Sequence, residues 1–280
     1  MAADLLITPT ELDALLRSAA PPRVLDVRWR LDAPDGSEQY REGHIPSAVY
    51  VSLDHDLAAH GDPRDGRHPL PDPGDLQAAA RRWGVNDGDS VVVYDDWQSF
   101  AAARTWWALM DAGVADVRVL DGGLGAWRAA GLPLETGDEE VALGTVTLES
   151  GHLPRLDIDA AAALPARGLL LDVRAGERYR GESEPMDPRA GHIPGAVNAP
   201  AVDNMDDSGR FLDPETLRAR FAQIGATPGT AVGVYCGSGV SAAHAAIALR
   251  LAGVDAALYA GSWSQWSNHP DRPVATGGEA

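Results

Sequence analysis

The sequence predicts an α/β fold made of two tandem copies of one domain, each an open, mainly parallel sheet flanked by helices. Three observations carry that expectation. In each half, short β-branched runs alternate with helical runs, the pattern of parallel strands joined by helical crossovers. Segments of the first half return in the second in the same order, the signature of an internal repeat. A length of 280 residues is long for one core and comfortable for two domains of ordinary size.

Four pairs of segments define the repeat. Arg23-Val24-Leu25-Asp26-Val27-Arg28 returns as Leu169-Leu170-Leu171-Asp172-Val173-Arg174, and Glu42-Gly43-His44-Ile45-Pro46 as Ala190-Gly191-His192-Ile193-Pro194. Ser90 to Asp95 aligns with Thr230 to Cys236, and Asp121 through Trp127 with Ala260 through Trp266. The offsets run 146, 148, 141 and about 139 residues, so the order holds while the loops change length. The copies are placed at 1–140 and 156–280, with a linker at 141–155.

In chain order, residues 10–19 read as a helix that Thr8 or Thr10 can cap, and 24–27 as a buried strand. Helices follow at 75–83 and 101–112, and strands at 90–94 and 117–120. After Gly122 comes a short helix carrying Trp127, and the second copy repeats the order from Asp157. The stretches 54–73 and 181–189 are longer than connections need, and such loops are often functional.

Composition narrows the function. With 45% hydrophobic residues the chain is globular rather than disordered. No apolar run approaches the ~20 residues of a membrane span, and Met1-Ala2-Ala3-Asp4 lacks the basic start and apolar core of a signal peptide. A cytoplasmic protein with no membrane partner is expected. One cysteine forms no internal disulfide, in keeping with a reducing compartment. The net charge of −18 argues against a nucleic-acid surface, which needs a basic stripe. All 23 basic side chains are arginine, which excludes a lysine Schiff base, pyridoxal phosphate attachment and a Walker A phosphate loop. The eight histidines are scattered and none pairs with the cysteine at ligand spacing, so neither a metal nor another cofactor is expected.

The chemistry gathers at Cys236. Residues 231–235 read as a strand, Cys236-Gly237-Ser238-Gly239-Val240-Ser241 as a tight loop, and 242–252 as an alanine-rich helix. That order aims loop N–H groups and the positive end of a helix dipole at one atom, here the sulfur. The thiolate is the nucleophilic form of cysteine, and a helix N-terminus is one setting that favours it. Gly237 and Gly239 are expected to let the loop turn inward, with Ser238 and Ser241 supplying hydroxyls. A lone cysteine is otherwise most often a small buried hydrophobe, but packing alone does not call for a donor-rich loop. In the first copy Asp95 stands at the cysteine position, followed by Asp96-Trp97-Gln98. A carboxylate cannot carry sulfur, so the first copy reads as catalytically silent.

Leu171-Asp172-Val173-Arg174, Gly191-His192-Ile193-Pro194-Gly195-Ala196 and the loop from Cys236 to Val240 resemble the two-domain rhodanese-like sulfurtransferases, over about residues 4–274. That family includes thiosulfate and 3-mercaptopyruvate sulfurtransferases. The resemblance implies a ping-pong reaction in which the cysteine takes a sulfane sulfur as a persulfide and passes it to cyanide or a thiol, thioredoxin being one candidate acceptor. Mercaptopyruvate enzymes typically carry Cys-Gly-Ser-Gly-Val-Thr, thiosulfate enzymes Cys-Arg-Lys-Gly-Val-Thr. The present loop is similar to the first, with Ser241 for the threonine. Without the Arg-Lys pair it should bind dianionic thiosulfate less well.

The same resemblance implies a relay of Ser238 with His68 and Asp54 of the first copy, loop contacts to the donor at Gly237, Gly239, Val240 and Ser241, and a carboxylate ligand at Arg178. The competing reading of His68 is a solvent-exposed loop residue. A second family arginine is replaced by Met186, and Arg189 is the nearest substitute. Four arginines between 174 and 189 face Glu177, Glu182, Glu184 and Asp187, so a self-neutralised loop competes with a donor-binding one. His44 and His192 stand in both copies, which favours a structural role, and Trp263 reads either as a pocket wall or as core. A cysteine phosphatase would need an arginine near the sixth position after the cysteine, where Ala242 and Ala243 stand. A non-catalytic rhodanese-like binding module is the remaining alternative.

Overall fold

The computed structural model describes residues 5–278. Five strands form the first sheet: β1 (Leu6–Ile7), β2 (Arg23–Asp26), β3 (Ala48–Tyr50), β4 (Ser90–Tyr94) and β5 (Asp116–Leu120), in the order β1-β5-β4-β2-β3. The second sheet holds β6 (Leu169–Asp172), β7 (Val197–Asn198), β8 (Val232–Tyr235) and β9 (Ala256–Leu258), in the order β7-β6-β8-β9. All pairs among these strands are parallel. Beside β9, Leu156 N–H donates to Leu258 O at 2.9 Å and Leu258 N–H to Pro154 O at 3.1 Å. The end of the linker thus lies where β1 lies in the first copy.

Helices cover both sheets. The first copy carries α1 (Pro9–Leu16), α2 (Ser37–Glu42), α3 (Leu53–Asp56), α4 (Pro73–Arg82), α5 (Phe100–Asp111) and α6 (Gly123–Ala129). The second carries α7 (Ile158–Ala163), α8 (Gly176–Tyr179), α9 (Pro214–Gln223), α10 (Val240–Leu251) and α11 (Ser262–Ser267). With both faces covered, the central strands are apolar along their length rather than alternating: all of β8 and four of the five residues of β4 are buried. α1 starts at Pro9 because Thr8 and Glu11 form a capping box, Thr8 Oγ1 accepting from Glu11 N–H and the Glu11 carboxylate from Thr8 N–H. It stops three residues short of the predicted 19, before Pro21-Pro22, which cannot continue a helix.

The predicted linker is not a free tether. Gly144 N–H donates to Arg81 O (2.8 Å), Thr147 N–H to Asp87 Oδ1 (2.9 Å) and Leu148 N–H to Gln77 Oε1 (3.0 Å), while Val146 and Leu148 are buried against the first copy. The copies meet through α5 and α10, both rich in alanine, which lets the helix backbones approach closely. Their side chains, Trp106 and Trp107 among them, belong to one hydrophobic cluster that runs through both copies. No described helix is long and apolar enough to cross a membrane.

Candidate active site

β8 delivers Cys236 to its carboxyl end, where open parallel sheets generally bind ligands. The thiol is 2% exposed. Gly239 N–H donates to Cys236 Sγ at 3.1 Å, and Gly239, with φ +81°, precedes the first turn of α10. A Cβ at Gly239 would lie 2.5 Å from Ala260 O, so only glycine closes the loop here. Gly237 departs from expectation: it is not among the positive-φ residues, so it is not needed for the turn. Its bare Cα instead leaves room beside two guanidinium groups. Arg178 Nη1 and Arg67 Nη1 stand 3.5 and 3.9 Å from where its Cβ would be.

Ser262, whose contact with the loop sequence reasoning missed, accepts from Cys236 N–H through Oγ at 3.1 Å and lies 4.0 Å from Sγ. It holds a left-handed backbone, φ +54°, rare for a serine, and Oγ donates to Tyr259 O at 2.9 Å.

A cavity of about 280 Å³ opens over Cys236 between the copies. Gly237, Ser238, Val240, Ser241 and Arg178 line it from the second copy, and Trp29, Arg67, Trp97 and Phe100 from the first. His68 is 7% exposed, not a solvated loop residue. Its Nδ1 is 2.8 Å from Ser238 Oγ and its Nε2 is 3.4 Å from Asp54 Oδ1. Trp29 Nε1–H donates to the same Asp54 oxygen at 3.0 Å. The hydrogen bond with His68 holds the Asp54 carboxyl below its usual range, against the opposing effect of burial.

The long loop reaches the second copy because it is pinned there. Arg67 N–H donates to Ser264 Oγ at 3.0 Å, and His269 Nε2 lies 3.0 Å from Arg64 O.

Arg178 lines the cavity but is already engaged, with Glu184 at 2.6 Å and Asp187 at 3.3 Å. Asp187 also receives Arg67 at 2.5 Å. Burial pushes the Asp187 carboxyl up while Arg67 pulls it down. The charges of this segment are paired with one another, as the self-neutralised reading expects, while Arg178 also lines the cavity. Arg189 does not reach the cavity. Its guanidinium donates to the carbonyls of Trp266, Ser267, His269 and Arg272 at 2.7 to 2.9 Å, clasping the turn after α11. Arg67, from the other copy, lines the cavity instead.

Trp263 is fully buried and packs 4.7 Å from the Arg174 guanidinium, as core. His44 and His192 bond the carbonyls of Tyr40 and Tyr179 at 2.9 and 2.8 Å and stack on those tyrosines. In the first copy the equivalent loop closes around its own carboxyl group. Asp95 accepts from the N–H groups of Trp97 and Ser99 at 2.9 Å and of Ala101 and Ala102 at 3.0 and 3.1 Å. Burial pushes that carboxyl up to about 7, with the N–H groups of Ala102, Trp97 and Ser99 acting in the other direction.

Comparison with known proteins agrees with this geometry. A family model described as the rhodanese-like domain matches residues 8–130 and 157–269. SseB of Mycobacterium tuberculosis, provisionally named a thiosulfate sulfurtransferase, is 50% identical over 97% of each chain. A Pseudomonas aeruginosa protein, provisionally named a 3-mercaptopyruvate sulfurtransferase, is 47% identical over 97% of this chain and 98% of its own. Among solved structures, the crystal structure of SseA from Escherichia coli, described with the 3-mercaptopyruvate enzymes, matches with a TM-score of 0.82 at 30% identity. It covers 93% of this chain and 99% of SseA.

Proposed function

The chain belongs to the rhodanese family of sulfurtransferases, and from that premise we propose that Cys236 carries sulfane sulfur, as a persulfide, from 3-mercaptopyruvate to a thiol or cyanide acceptor. The observation that carries the reading is the Gly239 N–H aimed at Sγ in a cavity lined by Arg67, Arg174 and Arg178. In the first half-reaction the thiolate attacks the donor's thiol sulfur. The carbon–sulfur bond breaks, its electron pair leaves as the enolate of pyruvate, and the proton of the donor thiol ends on the enolate carbon. Ser238 and His68 stand where they can pass that proton, with Asp54 orienting the imidazole. In the second half-reaction the acceptor attacks the outer sulfur and Cys236 leaves as thiolate. Loop N–H groups favour the anionic sulfur in both halves.

Two features favour 3-mercaptopyruvate over thiosulfate. The loop places Gly237 and Ser238 where a dianion would want cations, and Glu184 and Asp187 already offset Arg178 and Arg67. The name of the Mycobacterium tuberculosis relative keeps thiosulfate as the second reading. Side-by-side turnover with the two donors decides. A higher kcat/KM for 3-mercaptopyruvate is expected, and Ser238→Ala should lower turnover with that donor more than with thiosulfate. A preference for thiosulfate in the parent would reverse the donor assignment, and equal losses in Ser238→Ala would contradict a donor-specific relay.

A further inference from the structure

Arg104 lies on α5, in the copy without a cysteine, and is fully buried. Its Nη2 donates to the carbonyls of Leu57 (3.2 Å), His68 (2.9 Å) and Pro69 (3.3 Å), its Nη1 to Gly239 O (3.4 Å), and its Nε has no partner. Carbonyl oxygens solvate a guanidinium without neutralising it, and a buried cation is costly unless an anion answers it.

The neighbouring cations are answered. Arg67 has Asp187, Arg178 has Glu184 and Asp187, and Arg174 has Asp172. Arg104 makes no such pair with a carboxylate among the described residues, and its Nη1 stands 3.0 Å from where a Cβ on Gly239 would be, behind the loop that holds Cys236 Sγ. Through Gly239 O it touches the residue whose N–H reaches Sγ, and through His68 O it touches the backbone of the relay histidine.

We propose that Arg104 is the counter-ion of the Cys236 thiolate and of the persulfide formed on it, a positioning residue that the cysteine-less copy contributes to the site of the other. The inference rests on Cys236 being the sulfur carrier. The first copy thereby acquires an electrostatic role, holding a cation fixed behind the loop, out of contact with the donor and unscreened by salt. Burial pushes the guanidinium down to about 10, which leaves it charged at neutral pH.

The test is the rate of Cys236 alkylation by iodoacetamide at pH 7 and pH 9.5 in the parent, Arg104→Gln and Arg104→Lys. Loss of the cation is expected to slow Arg104→Gln about tenfold at pH 7, the equivalent of roughly one unit of thiol acidity. The gap should be smaller at pH 9.5 than at pH 7, and Arg104→Lys should fall between. Equal slowing at both pH values would mark Arg104 as a packing residue and overturn the proposal, as would no slowing. Should Arg104→Gln not unfold cooperatively, Arg104→Lys decides alone, by whether its deficit at pH 7 exceeds that at pH 9.5. Alkylation needs no sulfur donor, so this outcome is separate from that of the turnover experiments.

Discussion

Two guanidinium groups from different copies meet beside Gly237, and the acids next to them govern what they can bind. Arg67 and Arg178 share Asp187, and Glu184 takes a further bond from Arg178. A donor carboxylate bound here, as proposed, would exchange with an internal one instead of meeting bare charge. Removing the Arg67 side chain deletes a charge-assisted contact of about 1.5–3 kcal/mol and leaves Asp187 facing the donor. Steady-state kinetics of Arg67→Ala should show the KM for 3-mercaptopyruvate raised roughly ten- to hundredfold, with kcat changed less. An unchanged KM would put the donor's carboxylate elsewhere. Arg178 was named from the family resemblance alone, since it lies on α8, outside the long loop at 181–189. Arg67 was not legible, because its partner Asp187 is 120 residues away and only folding unites them.

The helix pair that joins the copies carries a second consequence. His244 on α10 lies between Phe100, with ring centroids 5.1 Å apart, and Phe211, at 4.4 Å. Neither ring nitrogen has a partner, and burial pushes the imidazole down to about 3. The unfolded chain thus takes up this proton near its ordinary 6.5, well before the folded one does. The stability His244 permits is intact above about 6.5 and is lost as pH falls from there toward 3. In His244→Leu, Tm should decline less than in the parent between pH 7.5 and pH 5; parallel curves would contradict this.

Elements of this size were the legible ones. β4, α5 and α10 show in the sequence because a contiguous valine run and long alanine-rich segments leave little choice of structure. β1, β3 and α2 span two, three and six residues, too short for any periodicity to stand out.

Across the whole molecule, what the two copies share builds the fold and what they do not share does the chemistry. Asp26–Arg28 and Asp172–Arg174 are buried ion pairs, and each arginine also donates to the carbonyl before the repeated histidine, Gly43 O at 2.9 Å and Gly191 O at 2.7 Å. That explains why both motifs recur in a copy that cannot hold sulfur. Losing one partner of such a pair would cost about 3–5 kcal/mol. At the position that differs, the Asp95 carboxyl takes up the N–H groups of the first loop, whereas Cys236 in the second faces an open cavity. Cys236 could be found from local sequence, since loop and helix are contiguous with it. His68 and Asp54 needed the family resemblance, and Arg67 and Arg104 needed the folded seam.

Intact-mass measurement after brief exposure to 3-mercaptopyruvate without an acceptor tests the central claim most directly. A gain of about 32 Da, one sulfur, is expected on Cys236, absent from Cys236→Ser and removed by cyanide. Turnover of 3-mercaptopyruvate with no such adduct at Cys236 would contradict it.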